Sequence, residues 1–368
     1  MRLLPEVVGQ LDQAGRDLGI RVFGIKGLVA RDYYPDPAMR QIGDWDVYVE
    51  SEAAAWELTG WLRRHGYVYY EKELPWYKRD LNSGRFYGQM LLRRSAGEAN
   101  IFVDIHYGGY SVRHCALLDV RVPSAGPGWH LIDRTQNVAL SVANASGDQF
   151  ITAKDLNDLF LALEDKALDW DAIKADIASA GLQGFFNNML SRVTEIYDLS
   201  ADAARAASVA AFPGAREPLP PLWEPDSSQR RSVTIRHAYD HGRRHSLVRG
   251  IVSGATAARY YRADLQLRIV ARRRAPLPKA RPWTCVRLVP VPLAARSNGA
   301  AANGAARPVD RPGSVIRPLS PNGAMRRVRT PSGDLVEAAG ELFLPTVYFG
   351  VSKDLVRSGT VLDQQCTT

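Results

Sequence analysis

Two short segments alternate polar with apolar residues, and this alternation constrains the fold of the chain most strongly. The first reads DWDVYV from Asp44, and the second reads IFVDIH from Ile101. A period of two is typical of β-strands, in which alternate side chains share one face. The pattern therefore predicts that Asp44 and Asp46 lie on one face of a strand, and that Asp104 and His106 share a face of another.

If these two strands are neighbours, three carboxylates converge at one place. Like charges at short range repel each other at pH 7 unless cations compensate them. Hard divalent ions with oxygen ligands are the natural compensation. The sequence therefore predicts a metal site formed by Asp44, Asp46 and Asp104, with Mg²⁺ as the expected ion.

An anion site is predicted upstream of the acidic pair. Lys26 and Gly27 lie where an apolar strand meets a short helical segment. Glycine permits close approach of backbone N–H groups to an anion, and the lysine adds a positive charge. Arg40, just before the acidic pair, offers a bidentate clamp for a phosphate.

Three further polar residues have two interpretations each. His106 either hydrogen-bonds Asp104 and fixes its rotamer, or contacts a phosphate or another bound group. Lys154 and Asp158, on a predicted helix, either contact a bound ligand or belong to a solvated helix face, and the solvated face is favoured.

Periodicity along the chain predicts an α+β fold, with a mixed N-terminal part followed by a helical one. Strands are predicted at 20–25, 44–49, 67–70, 85–93 and 100–107, and helices at 3–18, 27–34, 51–66, 135–145, 152–164, 170–180 and 185–196.

The second half of the chain contains a proline-rich linker, a basic helical segment and a glycine- and alanine-rich tract. The basic segment has fourteen arginines against two acidic residues between Arg230 and Arg287. Apolar residues at 336–351 predict C-terminal strands. We expect five regions: 1–130, a helical domain at 131–211, the linker and basic segment at 212–295, a flexible insertion at 296–314, and strands with a tail at 315–368.

Composition limits the partners and the compartment. The 47 basic and 39 acidic residues give a formal net charge of +8, which favours an anionic partner. The three cysteines are odd in number and widely spaced, which fits neither a disulfide framework nor a paired zinc motif. We therefore expect a reducing compartment. No run reaches the roughly 20 apolar residues of a membrane span. We therefore expect a cytoplasmic protein without a membrane span.

The run GIKGLVARDYYPDPAMRQIGDWDVYVE, followed by IFVDIHYGG, resembles the uncharacterised nucleotidyltransferase family of the DNA polymerase beta superfamily. The resemblance covers roughly residues 3–196. It implies a mixed sheet with flanking helices and transfer of a nucleoside monophosphate from an NTP such as ATP. It also implies two Mg²⁺ ions, with Mn²⁺ as an alternative. The implied catalytic and metal-binding residues are Asp44, Asp46 and Asp104, and the implied nucleotide-binding residues are Lys26, Gly27, Arg40, His106, Lys154 and Asp158.

Three functions are compatible with this resemblance. In the first, the acceptor is a hydroxyl group of a small molecule or peptide. In the second, the enzyme modifies tRNA or a protein as toxin nucleotidyltransferases do, and the arginine-rich segment holds RNA or another polyanion. In the third, the chain is an inactive nucleotide-binding module. Retention of all three acids counts against the third.

Overall fold

The computed structural model describes residues 4–70, 73–79, 85–97, 99–112, 116–148, 151–216, 286–291, 323–330 and 333–346. It confirms the α+β class. The helices are α1 (Leu4–Leu18), α2 (Gly27–Ala30), α3 (Glu52–Arg64), α4 (Arg134–Asp148), α5 (Ala153–Glu164), α6 (Trp170–Ser179), α7 (Gln183–Ile196) and α8 (Ala201–Ala210). The strands are β1 (Arg21–Gly24), β2 (Trp45–Val49), β3 (Val68–Tyr69), β4 (Trp76–Arg79), β5 (Phe86–Ala96), β6 (Ala99–Tyr107), β7 (Tyr110–Val112), β8 (Ala116–Leu118), β9 (Gly128–Leu131), β10 (Val286–Pro290), β11 (Met325–Thr330), β12 (Gly333–Ala338) and β13 (Glu341–Thr346).

The chain forms two compact units. Unit one comprises Met1–Val49 and Gly109–Ile251, and unit two comprises Glu50–Gly108 and Val252–Thr368. The five-region division expected from the sequence stays a prediction. Its basic helical segment, apart from residues 286–291, and its flexible insertion lie outside the described residues.

Unit one contains a mixed sheet. Strand β1 runs antiparallel to β2 and parallel to β9. Helix α1 buries Val7 and Leu11 and comes so close to β9 that a Cβ atom on Gly15 would lie 2.7 Å from the Gly128 Cα atom. Such a distance is below any ordinary contact, so the close packing of α1 on β9 requires glycine at position 15.

Helices α2 and α4 to α8 of unit one share a hydrophobic core. Thr152 and Asp155 form a reciprocal capping box at the start of α5. Burial of α4 and α5 in this core fixes the positions of Asn137 on α4 and Asp158 on α5. No helix in the described part of the chain is both long and apolar enough to cross a membrane.

Unit two is built on antiparallel strands in the order β6, β5, β4, β10, β13, β12 and β11, with β3 also paired to β5. Ser51 caps α3 by accepting a hydrogen bond from the Ala54 N–H group. The predicted C-terminal strands are confirmed. Their pairing partner is distant in sequence, because β10 lies along β4 with Val286 opposite Tyr77.

One arginine of the arginine-rich segment, Arg287, lies in the described part of the chain, and it is buried. The Arg287 Nη1 atom donates a hydrogen bond to the Leu74 carbonyl oxygen at 2.7 Å. Burial lowers the pKa of Arg287 to about 10. Arg287 therefore contributes to the packing of β10 in unit two, where a polyanion has no access to it.

A chain ending at Ala211 tests whether the C-terminal strands are needed for folding. We expect a lower melting temperature and aggregation, because β4 loses its partner β10, and Trp56 and Tyr69 lose their ring contacts with Phe343. Circular dichroism melting and size-exclusion chromatography provide the measurements. A chain ending at Thr346, which keeps every strand of the described part of the chain, is the control. An unchanged melting temperature after truncation at Ala211 would instead support a domain boundary at the linker.

Candidate active site

The turn between β1 and α2 holds Lys26 in an unusual backbone conformation. Lys26 has φ 52° and ψ −119°, a region that residues other than glycine rarely adopt. Its N–H group donates to Asn137 Oδ1 at 2.6 Å, and Asn137 Nδ2 donates to the Lys26 carbonyl oxygen at 3.0 Å. The Asn137 amide thus forms hydrogen bonds with both backbone polar groups of Lys26 and stabilises a conformation that costs about 1–3 kcal/mol.

The side chain of Lys26 is directed at the acidic pair. Its Nζ atom lies 2.6 Å from Asp46 Oδ1 and 5.2 Å from the centroid of the Tyr110 ring. The Lys26 and Asp46 side chains are only 13% and 7% exposed. Since burial penalises an isolated charge, the ammonium and the carboxylate stabilise each other.

Helix α2 is shorter than the segment predicted at 27–34. It ends at Ala30 and continues as a 3₁₀ turn over Arg31–Tyr33. A single turn carries little of the helix dipole that would attract an anion. Any attraction of an anion to this turn therefore depends on side-chain charges, such as that of Lys26.

Arg40 and Asp158, both predicted nucleotide contacts, bind each other. Arg40 Nε and Nη2 donate to the two Asp158 carboxylate oxygens at 2.8 and 2.9 Å, and the Tyr34 hydroxyl donates to Asp158 Oδ1 at 2.8 Å. Both charged side chains are buried. Burial acts to lower the pKa of Arg40, but the hydrogen bonds and charge of Asp158 more than offset it and raise the pKa. The pair joins the loop that precedes β2, which contains Pro35 and Pro37, to α5.

Gly27 lies against this buried pair. A Cβ atom at position 27 would be 3.2 Å from Arg40 Nη2. The absence of a side chain therefore lets the start of α2 pack on the guanidinium group of Arg40. Lys154, by contrast, is exposed on α5.

The two members of the acidic pair have different environments. Asp46 is buried within β2, and its carbonyl oxygen accepts a hydrogen bond from the Ile25 N–H group at 3.0 Å. Asp44 is exposed and comes immediately before β2, which begins at Trp45. The alternation predicted the strand, but Asp44 lies just outside it.

The third acid, Asp104 on β6, has one occupied and one open carboxylate oxygen. Gln89 Nε2 donates to Asp104 Oδ2 at 2.6 Å, and His106 Nε2 lies 3.2 Å from the same oxygen. Asp104 Oδ1 is buried and has no hydrogen-bond partner among the described residues. A buried carboxylate oxygen without a partner is costly in an apoprotein and suits a cation ligand.

Asp46 of unit one is buried, and so are Asp104 and His106 of unit two. The two carboxylates suit Mg²⁺ or Mn²⁺, which prefer oxygen ligands, whereas an imidazole better suits softer ions. The chemistry of these side chains therefore favours the carboxylates over His106 as metal ligands.

Three residues that contact the site were not predicted. Gln89 is the single polar side chain in the apolar run from Phe86 to Leu92, and this interruption was a usable signal. Asn137 and Tyr110 carried no comparable signal, since their roles depend on contacts with Lys26 from distant parts of the chain.

A family model described as an uncharacterised nucleotidyltransferase matches residues 3–198 of the 368-residue chain. No curated protein and no solved structure matches it.

The buried Arg40–Asp158 pair generates a prediction about stability. Asp158→Asn leaves the Arg40 charge without its counterion, and we expect the free energy of unfolding to fall by roughly 3 kcal/mol. Urea unfolding followed by tryptophan fluorescence provides the measurement. Asp202→Asn is the matched control, because Asp202 pairs with Lys166 on the surface, and we expect no change there. Equal stability of Asp158→Asn and the wild type would contradict a structural role for the pair.

Proposed function

The chain belongs to the uncharacterised nucleotidyltransferase family, and from this membership we propose that it transfers a nucleoside monophosphate from an NTP to a hydroxyl group of a small molecule or peptide. The observation that carries the proposal is the buried Asp104 carboxylate. Gln89 and His106 engage its Oδ2 atom, while its Oδ1 atom has no hydrogen-bond partner among the described residues. Such an oxygen is costly to bury unless a cation or a proton binds it during the reaction.

The proposed reaction is an in-line displacement. The acceptor oxygen forms a bond to the α-phosphorus, and the bond between that phosphorus and the oxygen bridging to the β-phosphate breaks. Pyrophosphate leaves with the electron pair of that bond. The acceptor proton passes to Asp104 Oδ1, which has no hydrogen-bond partner among the described residues, or it passes to water if that oxygen completes a metal site.

Asp44, Asp46 and Asp104 are the proposed metal ligands, with two Mg²⁺ ions expected and Mn²⁺ as an alternative. When bound, such ions neutralise the developing charge on the phosphates. The open oxygen of Asp104 and the exposed carboxylate of Asp44 support this assignment. Gln89 and His106 support it as well, because both engage the other oxygen of Asp104 and so orient the carboxylate.

Lys26 and Gly27 are the proposed triphosphate contacts. The Lys26 ammonium group is held beside the acids by a strained and clamped backbone, and an ammonium group is a suitable point charge for a phosphate. Arg40 and Asp158 are proposed to support the nucleotide site through the loop that they hold, and exposed Lys154 is a peripheral candidate. The contact of His106 with Asp104 favours the rotamer-fixing role over a direct contact with the acceptor.

A screen for the nucleotide and the acceptor tests the proposed function. Each α-labelled NTP is incubated with the enzyme and Mg²⁺, together with small-molecule extract, total tRNA or the protein alone. Label in a small molecule or peptide supports the proposal, whereas label in tRNA or in a protein supports the toxin-like alternative. Absence of label with all four nucleotides and all acceptors, together with retained nucleotide binding, would identify an inactive binding module.

The metal assignment predicts the behaviour of Asp46→Asn. We expect release of pyrophosphate to fall at least about 100-fold, because the amide cannot replace an anionic metal ligand. Asp176→Asn is the matched control, since Asp176 is also buried and paired with a cation, Arg121. It is expected to lower the melting temperature without loss of turnover. Wild-type turnover in folded Asp46→Asn would remove Asp46 from the metal site.

A further inference from the structure

A cation already occupies Asp46 Oδ1 in the structure, and that cation is the ammonium group of Lys26. We propose that the Lys26 ammonium group occupies the metal position at Asp46 in the nucleotide-free enzyme and moves to the triphosphate when metal and nucleotide bind. Lys26 would thereby make metal binding at Asp46 conditional on nucleotide. The inference rests on the proposed function, because it requires Asp46 to be a metal ligand.

The first argument is competition for one oxygen atom. The Lys26 Nζ atom is 2.6 Å from Asp46 Oδ1, at hydrogen-bonding distance, and both side chains are largely buried. A Mg²⁺ ion would need to approach a carboxylate oxygen to about 2.0–2.1 Å. Two cations cannot share this oxygen in a buried setting, where solvent screens their repulsion weakly. The ammonium group must leave Asp46 Oδ1 before a metal ion binds there.

The second argument is that the backbone of Lys26 is held in a strained conformation. Its backbone has a positive φ angle, which glycine would adopt without strain. Asn137 stabilises that conformation from both sides through its amide group. Strained residues held in this way are concentrated at functional sites. A lysine with only a solvated role would not need such a clamp.

The third argument concerns where the ammonium group goes. The lysine side chain has four rotatable bonds, so it can move while Asn137 keeps the backbone in place. A triphosphate supplies several anionic oxygens to receive it. Binding of nucleotide therefore releases Asp46, and linkage requires that metal strengthens nucleotide binding by the same factor.

The test measures Mn²⁺ binding to the full chain from the loss of the free-ion EPR signal. Titrations are run without nucleotide and with an equimolar mixture of the α,β-methylene analogues of ATP, GTP, CTP and UTP. Protein-free titrations of the same mixture are subtracted, because triphosphates themselves bind Mn²⁺. Lys26→Met removes the charge, and Lys26→Gln removes it while retaining a hydrogen-bond donor, in case Lys26→Met does not fold. Lys174→Met is the matched control, because Lys174 Nζ donates to the Val209 carbonyl oxygen and lies 5.4 Å from the centroid of the Phe212 ring.

Without nucleotide, we expect the neutral Lys26 variants to bind Mn²⁺ about tenfold more tightly than the wild type and the Lys174 control. The analogues should then enhance Mn²⁺ binding less in these variants than in the wild type. If the wild type binds Mn²⁺ with the analogues but the Lys26 variants gain no affinity without them, the inference is wrong and the proposed function stands. If the wild type binds neither Mn²⁺ nor the analogues, both are wrong.

Discussion

Burial of charge next to its counterion is the constraint on which the candidate site depends. Asp46 is buried within β2, and a buried carboxylate requires a nearby cation. Lys26 supplies that cation, but only because its backbone turns away from the usual conformation at the end of β1. Asn137 in turn holds this turn from α4. The buried charge on β2 thus requires the unusual backbone of Lys26, and that backbone in turn requires Asn137 on α4.

The same constraint accounts for Arg40 and Asp158. The sequence predicted them as separate nucleotide contacts, and for Arg40 the reason was that an arginine before an acidic pair is a suitable phosphate clamp. In the folded chain the guanidinium group meets a buried carboxylate in a bidentate arrangement. Asp104 is the contrasting case, since its Oδ1 atom is buried without a hydrogen-bond partner in the described part of the chain. That difference separates a carboxylate that supports the fold from one that is available for chemistry.

Local sequence patterns predicted much of the secondary structure. Alternation located β2 and β6, and helical periodicity located α3 and α5. Strands β4, β7, β8, β9 and β10 and helix α8 were not predicted. Strands β4 and β10 pair with each other across more than 200 residues, a contact that no local pattern records. The α8 segment is rich in alanine, so its apolar stripe is weakly marked.

By itself, the sequence determined the class of fold, the strands that carry Asp46 and Asp104, and the family of the chain, since periodicity, caps and motif spacing are local properties. Only the tertiary structure decided which charges meet. The partners of Lys26, Arg40 and β10 lie from 20 to more than 200 residues away, and periodicity carries no information about such contacts. Each partner is selected by packing and by the free-energy cost of burying a charge alone, and both act only once the chain has folded.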